Sequence, residues 1–368
     1  MNVLVNVNDT GVDTNYPGLT NRVLTDLAAS GFDASGHGTH VAGIIAGNGA
    51  QSQTVTDAPG SVLPPADLQF RGQAPAASVL AIGVDLSSRS ATPDVYLQQT
   101  AAQAQARISN NSWNYAGVNS YDLAAASYDA AVRDSLPGMP GSQSVLYIFA
   151  AGNTGAGADD GTGGIPGTIQ SPATAKNVIT VGALEQLRKI SNVTWTCAGG
   201  GSCQTNVPWL GLTDSSGQVA AFSARGNVGI GLEGEFGRYK PDLVAPGTFI
   251  VSARSTDWDQ VDYSSQSNNA IVPFPEANYF EVLSNLNLEL GPFYRFESGT
   301  SLAAANVSGA LALMQEFFEQ RLGQTNSPAL MKALLINGAR SLTNLYGLSP
   351  HAMTNSQGWG LIHLPNSV

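Results

Sequence analysis

The sequence predicts an α/β fold in which a mainly parallel central sheet is flanked by helices, so that the protein has three layers. Short runs rich in β-branched residues alternate along the chain with Ala-rich stretches of helical character, which is the pattern of strands joined by helical crossovers. The chain has 368 residues, 43% of them hydrophobic. Neither an internal repeat nor a linker divides it, so residues 1–368 are expected to form a single domain.

Each predicted element follows from its local pattern. Strands are short β-branched runs that end at turn residues, whereas helices are longer stretches of good helix formers. The sequence predicts strands at Val3–Val7, Ser78–Asp85, Ile108–Ser112, Val145–Ala150, Val178–Val181 and Leu243–Pro246, and helices at His37–Gly47, Val95–Arg107, Tyr121–Ser135, Ser301–Leu322 and Pro328–Asn337. The predicted surface loops, rich in Gly, Ser, Asn and Asp, are 51–66, 155–167, 188–217 and 256–275.

The composition excludes two classes of partner. The formal net charge is −11, and an acidic protein is not attracted to nucleic acid or to an anionic membrane surface. No run reaches the roughly 18 apolar residues that a membrane span needs, because the longest candidate, 302–314, is interrupted by Asn306 and Ser308.

Cys197 and Cys203 are the only cysteines in the sequence, and they flank a Gly-rich segment, 198–202. This spacing fits either a small disulfide-closed loop in an oxidising compartment or two free thiols, and we favour the disulfide. A zinc site is excluded, because it needs more than two ligands and no histidine lies nearby in the sequence.

The most informative segment is Gly299-Thr300-Ser301, which opens a run of small and apolar residues to about Leu322. The run predicts a buried helix. Ser301 would lie on its first turn, at the positive end of the helix dipole, where the negative charge of an oxyanion is stabilised. Serine is also a common helix N-cap, so a catalytic role needs a base and an orienting acid.

Both partners are found near the start of the chain. His37 and His40 lie in a Gly-rich segment, 36–43, and Asp9 follows a strand-like alternating run. In an open α/β sheet, ligands bind at the carboxyl ends of the strands, where Asp9 would lie. A serine hydroxyl needs a base within hydrogen-bond reach to become a nucleophile. Asp9, His37 and Ser301 are therefore the candidate acid, base and nucleophile.

These three segments, in this order, resemble the signatures of the subtilisin-like serine proteases, the subtilases. Further segments that resemble the family cover nearly the whole chain: 106–113, 149–153, 174–183, 221–226, 240–247 and 357–360. The details are most similar to the oxidatively stable alkaline protease branch. The resemblance implies a subtilisin-like fold and a secreted serine endopeptidase that hydrolyses peptide bonds through an acyl-enzyme.

The resemblance also implies partners and processing. Extended polypeptides would be the substrates, and the propeptide of the precursor would be a further partner of an extracellular, monomeric enzyme. The sequence opens directly on the first predicted strand, so we expect the signal peptide, the propeptide, a short N-terminal stretch and any C-terminal β-domain to be absent from it. Calcium is the implied structural ion, and the chemistry needs no cofactor. Asp159 and Asp160 could chelate calcium or form an exposed acidic turn, so the metal site stays open.

The same match implies further site residues. Asn153 is expected to donate a hydrogen bond to the oxyanion, with the backbone N–H of Ser301 as the second donor. An extended substrate would pair with one strand edge as an added strand, and small residues would leave room for a large apolar side chain in the specificity pocket. The residues expected to line the cleft and this pocket are Ser112, Trp113, Asn114, Ala150, Ala151, Gly152 and Gly167.

Departures from the family pattern leave one alternative open. Leu302, Ala305 and Asn306 stand where relatives usually have Met, Pro and often His. They are compatible with a catalytically impaired relative that binds extended peptides without cutting them, although the intact candidate triad and Asn153 argue against it. Because leucine has no sulfur to oxidise, Leu302 also predicts activity that survives peroxide.

Three other enzyme classes fit less well. Asp9-Thr10-Gly11 matches one half of an aspartic protease site, which needs a second such carboxylate, and segment 214–217 does not supply it. An α/β-hydrolase places its acid after the serine, but no Asp follows Ser301. The pair His37 and His40 lacks the Glu of the zinc protease motif, so His40 is expected to be structural.

Overall fold

The structure, a computed structural model, describes residues 3–61, 69–84, 92–197, 203–258, 286–342 and 354–368. Within these ranges the strands are β1 (Leu4–Asp9), β2 (Val23–Thr25), β3 (Ser78–Gly83), β4 (Ile108–Asn111), β5 (Leu146–Ala150), β6 (Ile179–Leu184), β7 (Thr194–Cys197), β8 (Cys203–Asn206), β9 (Leu243–Pro246), β10 (Ile250–Ala253) and β11 (Tyr294–Glu297). Seven of them form one sheet in the order β2-β3-β1-β4-β5-β6-β9, and every neighbouring pair is parallel. The predicted parallel sheet is therefore confirmed.

The helices of the described residues are α1 (His37–Ala46), α2 (Asp94–Gln103), α3 (Leu123–Ala131), α4 (Thr300–Arg321), α5 (Pro328–Gly338), α6 (Thr354–Gln357) and α7 (Leu364–Ser367). The five predicted helices are all present. Helix α3 begins later than predicted, because the side chain of Asp122 caps it by accepting from the backbone N–H of Ala125. Helix α2 ends early, because Gln105 adopts a left-handed backbone with φ of 63°.

Strand β5 shows how the three layers are built. Its alternate residues Leu146, Ile148 and Ala150 pack into a core cluster with α1 and α4 on one face of the sheet. Tyr147 and Phe149 point the other way and pack with α2 and α3. Because successive strand residues face opposite sides, a sheet that is buried on both faces requires a strand that is apolar at every position. The sequence Leu-Tyr-Ile-Phe-Ala meets this requirement.

Several elements differ from the sequence-based predictions. Strands β10 and β11 were not predicted, and they form a separate antiparallel pair. The predicted loop 188–217 contains an antiparallel hairpin of β7 and β8, whose register places Cys197 opposite Cys203. The disulfide itself stays a prediction. Asp85 and most of the predicted loop 256–275 lie outside the described residues.

Among the residues that the structure describes, no helix combines the length and the apolar character that a membrane crossing requires.

Candidate active site

Asp9 and His37 form the best-defined contact of the site. Asp9 is the last residue of β1, and its Oδ1 lies 2.6 Å from His37 Nδ1. The same oxygen accepts from the backbone N–H of Thr10 at 2.8 Å. A carboxylate can only accept hydrogen bonds, so this contact places the imidazole proton on Nδ1. In the neutral ring, Nε2 is then left with a lone pair that can accept a proton.

The start of α1 is shaped to bring His37 onto Asp9. A methyl group on Gly38 would lie 2.0 Å from the carbonyl oxygen of Gly11 and 3.0 Å from Asp9 Cβ, so only glycine permits this close approach. Asp33 holds the first turn of the helix, because its carboxylate accepts from the backbone N–H groups of Gly36 and Thr39, each at 2.8 Å. The helix is thus capped by an acid that precedes it by several residues.

Sheet register brings Ser301 to the same place. In the parallel pairing of β1 with β4, Asn8 lies opposite Asn111, so the next residues, Asp9 and Ser112, end neighbouring strands about 4.8 Å apart. Ser112 Oγ donates to the carbonyl oxygen of Ser301 at 3.0 Å. The hydroxyl of Ser301 in turn donates to the carbonyl oxygen of Ser112 at 3.3 Å.

The nucleophile and the base are therefore not yet hydrogen-bonded. The hydroxyl of Ser301 donates instead to the carbonyl oxygen of Ser112 and would have to leave this acceptor to donate to His37. Catalytic hydrogen bonds are often long or poorly aligned in the absence of substrate, so this arrangement is compatible with the predicted roles.

Two N–H donors converge beside Ser301. Asn153 follows β5, and its Oδ1 accepts from the backbone N–H of Thr300 at 3.0 Å and from Thr300 Oγ1 at 2.9 Å. These two bonds fix the oxygen side of the amide, so the Nδ2 side faces away from Thr300. A methyl group on Gly299 would lie 3.6 Å from Asn153 Nδ2 and 3.8 Å from the backbone nitrogen of Ser301. Both nitrogens therefore lie near the same point beside Gly299, as the predicted oxyanion site requires.

The predicted cleft residues fall into two groups. Ser112 lies at the site, as described above, whereas the Trp113 side chain is only 5% exposed and packs edge-to-face on Phe149 and Tyr115 at 5.6 and 5.3 Å between ring centroids. Only the backbone of Trp113 is therefore placed to pair with a substrate. Asn114 is partly exposed.

The predicted pocket wall contains a residue that the sequence analysis missed. Ala150 and Ala151 are buried, and a methyl group on Gly152 would lie 3.5 Å from Gln170 Oε1. The side chain of Gln170 therefore lies against Gly152, in the predicted wall of the pocket. Gly167 donates its backbone N–H to the carbonyl oxygen of Gly226 at 2.9 Å, and its role in closing the pocket stays a prediction. The loop before β6 has no periodic pattern that would have revealed Gln170.

The two histidines of α1 have pKa shifts in opposite directions. Burial lowers the pKa of His37, but the carboxylates of Asp9, Glu297 and Asp33 outweigh it and raise the pKa to about 9. Burial lowers the pKa of His40 to about 4, so this ring is neutral at neutral pH. His40 is completely buried, and its Nε2 hydrogen-bonds the carbonyl oxygen of Arg295 at 3.2 Å. These contacts agree with the structural role predicted for His40.

The acidic loop residues Asp159 and Asp160 lie away from this site. Asp160 Oδ1 accepts from the backbone N–H and the hydroxyl of Thr162 at 3.0 and 2.6 Å, which is the pattern of a capped acidic turn. Within the described ranges, no group of three or more His, Cys, Asp or Glu residues could hold a metal ion. The calcium prediction has no located site in this part of the chain.

A parallel α/β sheet with an Asp–His pair, a helix-start serine and an adjoining amide donor at its carboxyl edge defines a hydrolase-like site of the serine type. The sequence profile of the Subtilase family, Peptidase_S8, matches residues 1–360. The chain therefore belongs to the subtilase family.

Curated relatives are distant in sequence. The chain is 27% identical over 368 residues to the serine protease AprX of Bacillus subtilis (strain 168), in an alignment covering 96% of this chain and 66% of AprX. It is 26% identical over 353 residues to the major intracellular serine protease of the same organism, covering 91% of this chain and 75% of the relative. The chain spans just under two thirds of AprX and about a fifth of two Dictyostelium discoideum relatives that combine a serine protease with an ABC transporter.

Solved structures confirm the fold. The patellamide maturation protease PatA superposes with a TM-score of 0.59 at 20% identity, covering 99% of this chain and 95% of PatA. Fervidolysin from Fervidobacterium pennivorans, a keratinolytic enzyme related to subtilisin, superposes with a TM-score of 0.52 at 22% identity, covering 100% of this chain and 42% of that protein. The three-layer, subtilisin-like architecture predicted from the sequence is thereby confirmed.

Proposed function

We propose that the chain is a serine-type endopeptidase that hydrolyses peptide bonds through an acyl-enzyme, with Ser301 as nucleophile, His37 as base and Asp9 as orienting acid. The observation that carries the proposal is the 2.6 Å contact of His37 with Asp9 at the sheet edge where Ser301 and Asn153 also meet. Membership of the subtilase family supports the same reaction.

The proposed reaction uses each of these groups in turn. Ser301 Oγ attacks the carbonyl carbon of the substrate while His37 Nε2 takes its proton, and Asp9 stabilises the imidazolium that forms. The new oxyanion lies in the space bordered by Asn153 Nδ2 and the backbone N–H of Ser301. His37 then gives its proton to the leaving amine, and water repeats the sequence to release the acid.

The pKa of His37 predicts alkaline activity. Only the neutral imidazole can act as the base, and the neighbouring carboxylates raise the pKa of His37 to about 9. We therefore expect kcat/KM to reach its maximum above that pKa and to decrease as the pH falls through it.

The substrates and the setting are proposed from the family resemblance. An extended polypeptide would pair with the backbone of residues 112–114. We propose a secreted, monomeric enzyme made with a propeptide, of the oxidatively stable branch, with structural calcium. The cross-strand register of Cys197 and Cys203 supports an oxidising compartment, and alkylation with and without prior reduction would test the bridge. A chelator that leaves the melting temperature unchanged would contradict the calcium proposal.

Fluorophosphonate labelling tests the triad, because only an activated serine reacts with this probe. The wild-type chain should be labelled at Ser301 and should cut casein. Ser301→Ala and His37→Ala should each abolish most turnover while the fold is retained, and the double variant should be little worse than either, because the residues act as a unit. A folded wild-type chain that binds peptides without labelling would instead support the impaired, peptide-binding alternative.

A further inference from the structure

A buried ion pair lies behind the start of α1, on the strand that leads to the nucleophile. Arg295 and Glu297 stand two residues apart in β11, so their side chains share one face of that strand, and they pair with each other. Their side chains are 1% and 8% exposed. Tyr294 and Phe296 point to the opposite face and join an apolar cluster.

The guanidinium of Arg295 supports the turn that carries His37. Its Nη2 donates to the carbonyl oxygen of Ser35 at 3.2 Å. A methyl group on Gly36 would lie 2.8 Å from Arg295 Nη1, and Gly36 has a φ of 72°, so the Gly36 position needs glycine for both its space and its conformation. The guanidinium also stacks over the ring of Trp258, 4.5 Å from its centroid.

The backbone of the same strand holds the next turn of the helix. The carbonyl oxygen of Arg295 accepts from His40, which lies one turn after His37. Ser252, the residue opposite Arg295 in strand β10, donates its hydroxyl to the carbonyl oxygen of His40 at 2.9 Å. Residues of β10 and β11 therefore hydrogen-bond to the first turn of helix α1 and to Ser35, which lies just before it. Strand β11 ends at Glu297, four residues before Ser301.

Stability does not explain a buried pair of this kind. Removing two charges from water costs several kcal/mol per ion, and apolar residues of similar volume are often as stabilising or more so. The pair occupies the one strand that contacts the helix of the base and also leads directly to the nucleophile. A role in arranging these two groups accounts for its location.

We propose that Arg295 and Glu297 form a positioning pair for His37, in which the guanidinium of Arg295 holds the turn before α1 and Glu297 holds that guanidinium in place. The inference deepens the proposed function and rests on the proposed role of His37 as base. In this arrangement the pair acts through His37 and does not contact the substrate.

The charges that surround His37 give the expected direction of the effect. Burial lowers the pKa of His37, and the carboxylates that outweigh it are Asp9 at the end of β1, Glu297 on β11 and Asp33 before α1. Asp257 accepts from the backbone N–H of Asp33 at 3.0 Å, His40 on the same helix is neutral at neutral pH, and Arg295 pairs with Glu297. Burial raises the pKa of Glu297, but the positive charges of Arg295 and His37 outweigh it and hold the pKa below its ordinary value. Glu297 is therefore ionised, and its charge favours the protonated form of His37.

Glu297→Gln tests the charge with little change of shape. Because the variant removes a negative charge that raises the pKa of His37, the acid limb of kcat/KM on a peptide anilide should move to lower pH by about 0.5 to 1 unit. The NMR titration of the His37 ring in a Ser301→Ala background should move in the same direction. This second readout needs no turnover, so failure of the proposed function does not hide the result.

Two further variants separate positioning from charge. Arg295→Lys keeps the positive charge but cannot hold both Glu297 and Ser35, so kcat should fall about tenfold with KM little changed. If Glu297→Gln fails to fold, Arg295→Met combined with Glu297→Gln removes both charges of the pair and should still lower the pH of the acid limb.

Asp242→Asn is the matched control. Asp242 pairs with buried Lys240 just before β9, at the amino edge of the sheet and away from His37. This variant should therefore be less stable, but the acid limb of its kcat/KM profile should lie at the same pH as in wild type. The proposal is overturned if the folded Glu297 variants leave both the acid limb and the His37 titration within about 0.2 pH unit of wild type. It is also overturned if Asp242→Asn moves the acid limb as much.

Discussion

The hydrogen bonds of Thr300 to Asn153 allow two effects on kcat to be separated: the presence of the Asn153 amide and the orientation of that amide. Loss of the corresponding donor from subtilisin costs about 10²–10³ in kcat, or about 2.7–4 kcal/mol. Asn153→Ala should have an effect of this size here, with KM nearly unchanged, because the donor meets its partner mainly in the transition state. Thr300 is completely buried and contacts Asn153 only on the oxygen side of its amide.

Thr300→Val should therefore loosen the amide without removing it. Valine keeps the shape and the backbone N–H bond to Asn153, but loses the 2.9 Å bond from Oγ1. One neutral hydrogen bond contributes about 0.5–1.5 kcal/mol, so kcat should fall roughly two- to twelvefold. The variant also leaves the backbone N–H of Gly152, now 3.1 Å from Thr300 Oγ1, without that acceptor. The free energy of unfolding should fall by about 1–3 kcal/mol.

A double-mutant cycle decides whether Thr300 acts through Asn153. We would measure kcat and KM on a peptide anilide for the wild type, both single variants and their combination, with denaturant unfolding of each. The combined variant should have the kcat of Asn153→Ala alone, and Thr300→Ser, which keeps the hydroxyl, should resemble wild type. Equal losses from Thr300→Val in both backgrounds would refute the argument, because they would mean that Thr300 acts independently of the amide.

Three further predictions follow from single side chains. Leu302 is 1% exposed beside Ser301, and the variant Leu302→Met should be inactivated by peroxide, because the methionine sulfoxide that forms there is bulkier and more polar. Met314→Leu is the control. Equal inactivation rates of Leu302→Met and wild type would contradict the prediction. Gln170→Gly should raise the kcat/KM ratio of large over small apolar residues at the cleaved bond by about tenfold or more, and an unchanged ratio would remove Gln170 from the pocket. At pH 6, Asp242→Asn should lower the free energy of unfolding by as much as about 3–5 kcal/mol, because buried Lys240 loses its carboxylate partner and must either stay charged without it or give up its proton; a denaturation midpoint like that of wild type would disprove this.

In the wild-type chain, acid should remove the contribution of ionised Asp242 to the free energy of unfolding. Burial raises the pKa of Asp242, but Lys240 and Lys332 outweigh it and hold the pKa below the ordinary value of 3.8. The stabilisation is therefore complete above the ordinary pKa and is lost as the pH falls through the lowered one. Urea unfolding at a series of acidic pH values would measure this slope.

Features encoded locally could be predicted from the sequence. The first turn of α1 and the start of α4 carry short motifs, and the predicted helices have strong local patterns, so Asp9, His37 and Ser301 could be named and their helices placed within a few residues. The strand predicted at Val145–Ala150 was likewise placed to within one residue of β5.

The missed features depend on contacts between distant segments. Strands β10 and β11 are separated by about forty residues and pair only in the folded chain. Arg295 and Glu297 alternate with Tyr294 and Phe296 in β11, and charged residues on one face of a short segment indicate a solvent-exposed face unless their burial is known. Gln170 was missed for a similar reason, because its position against Gly152 is set by a loop and not by a periodic element.

The position of β1 in the sheet has a consequence for how the site is assembled during folding. The first strand of the chain lies near the middle of the sheet, between β3 and β4, and the helix that carries Ser301 belongs to the last part of the chain. Contacts between segments so far apart in the sequence carry a loop-closure entropy cost and slow folding. The base and the nucleophile therefore come together only when these two segments have met, so the site is a product of long-range folding and not of any one local segment.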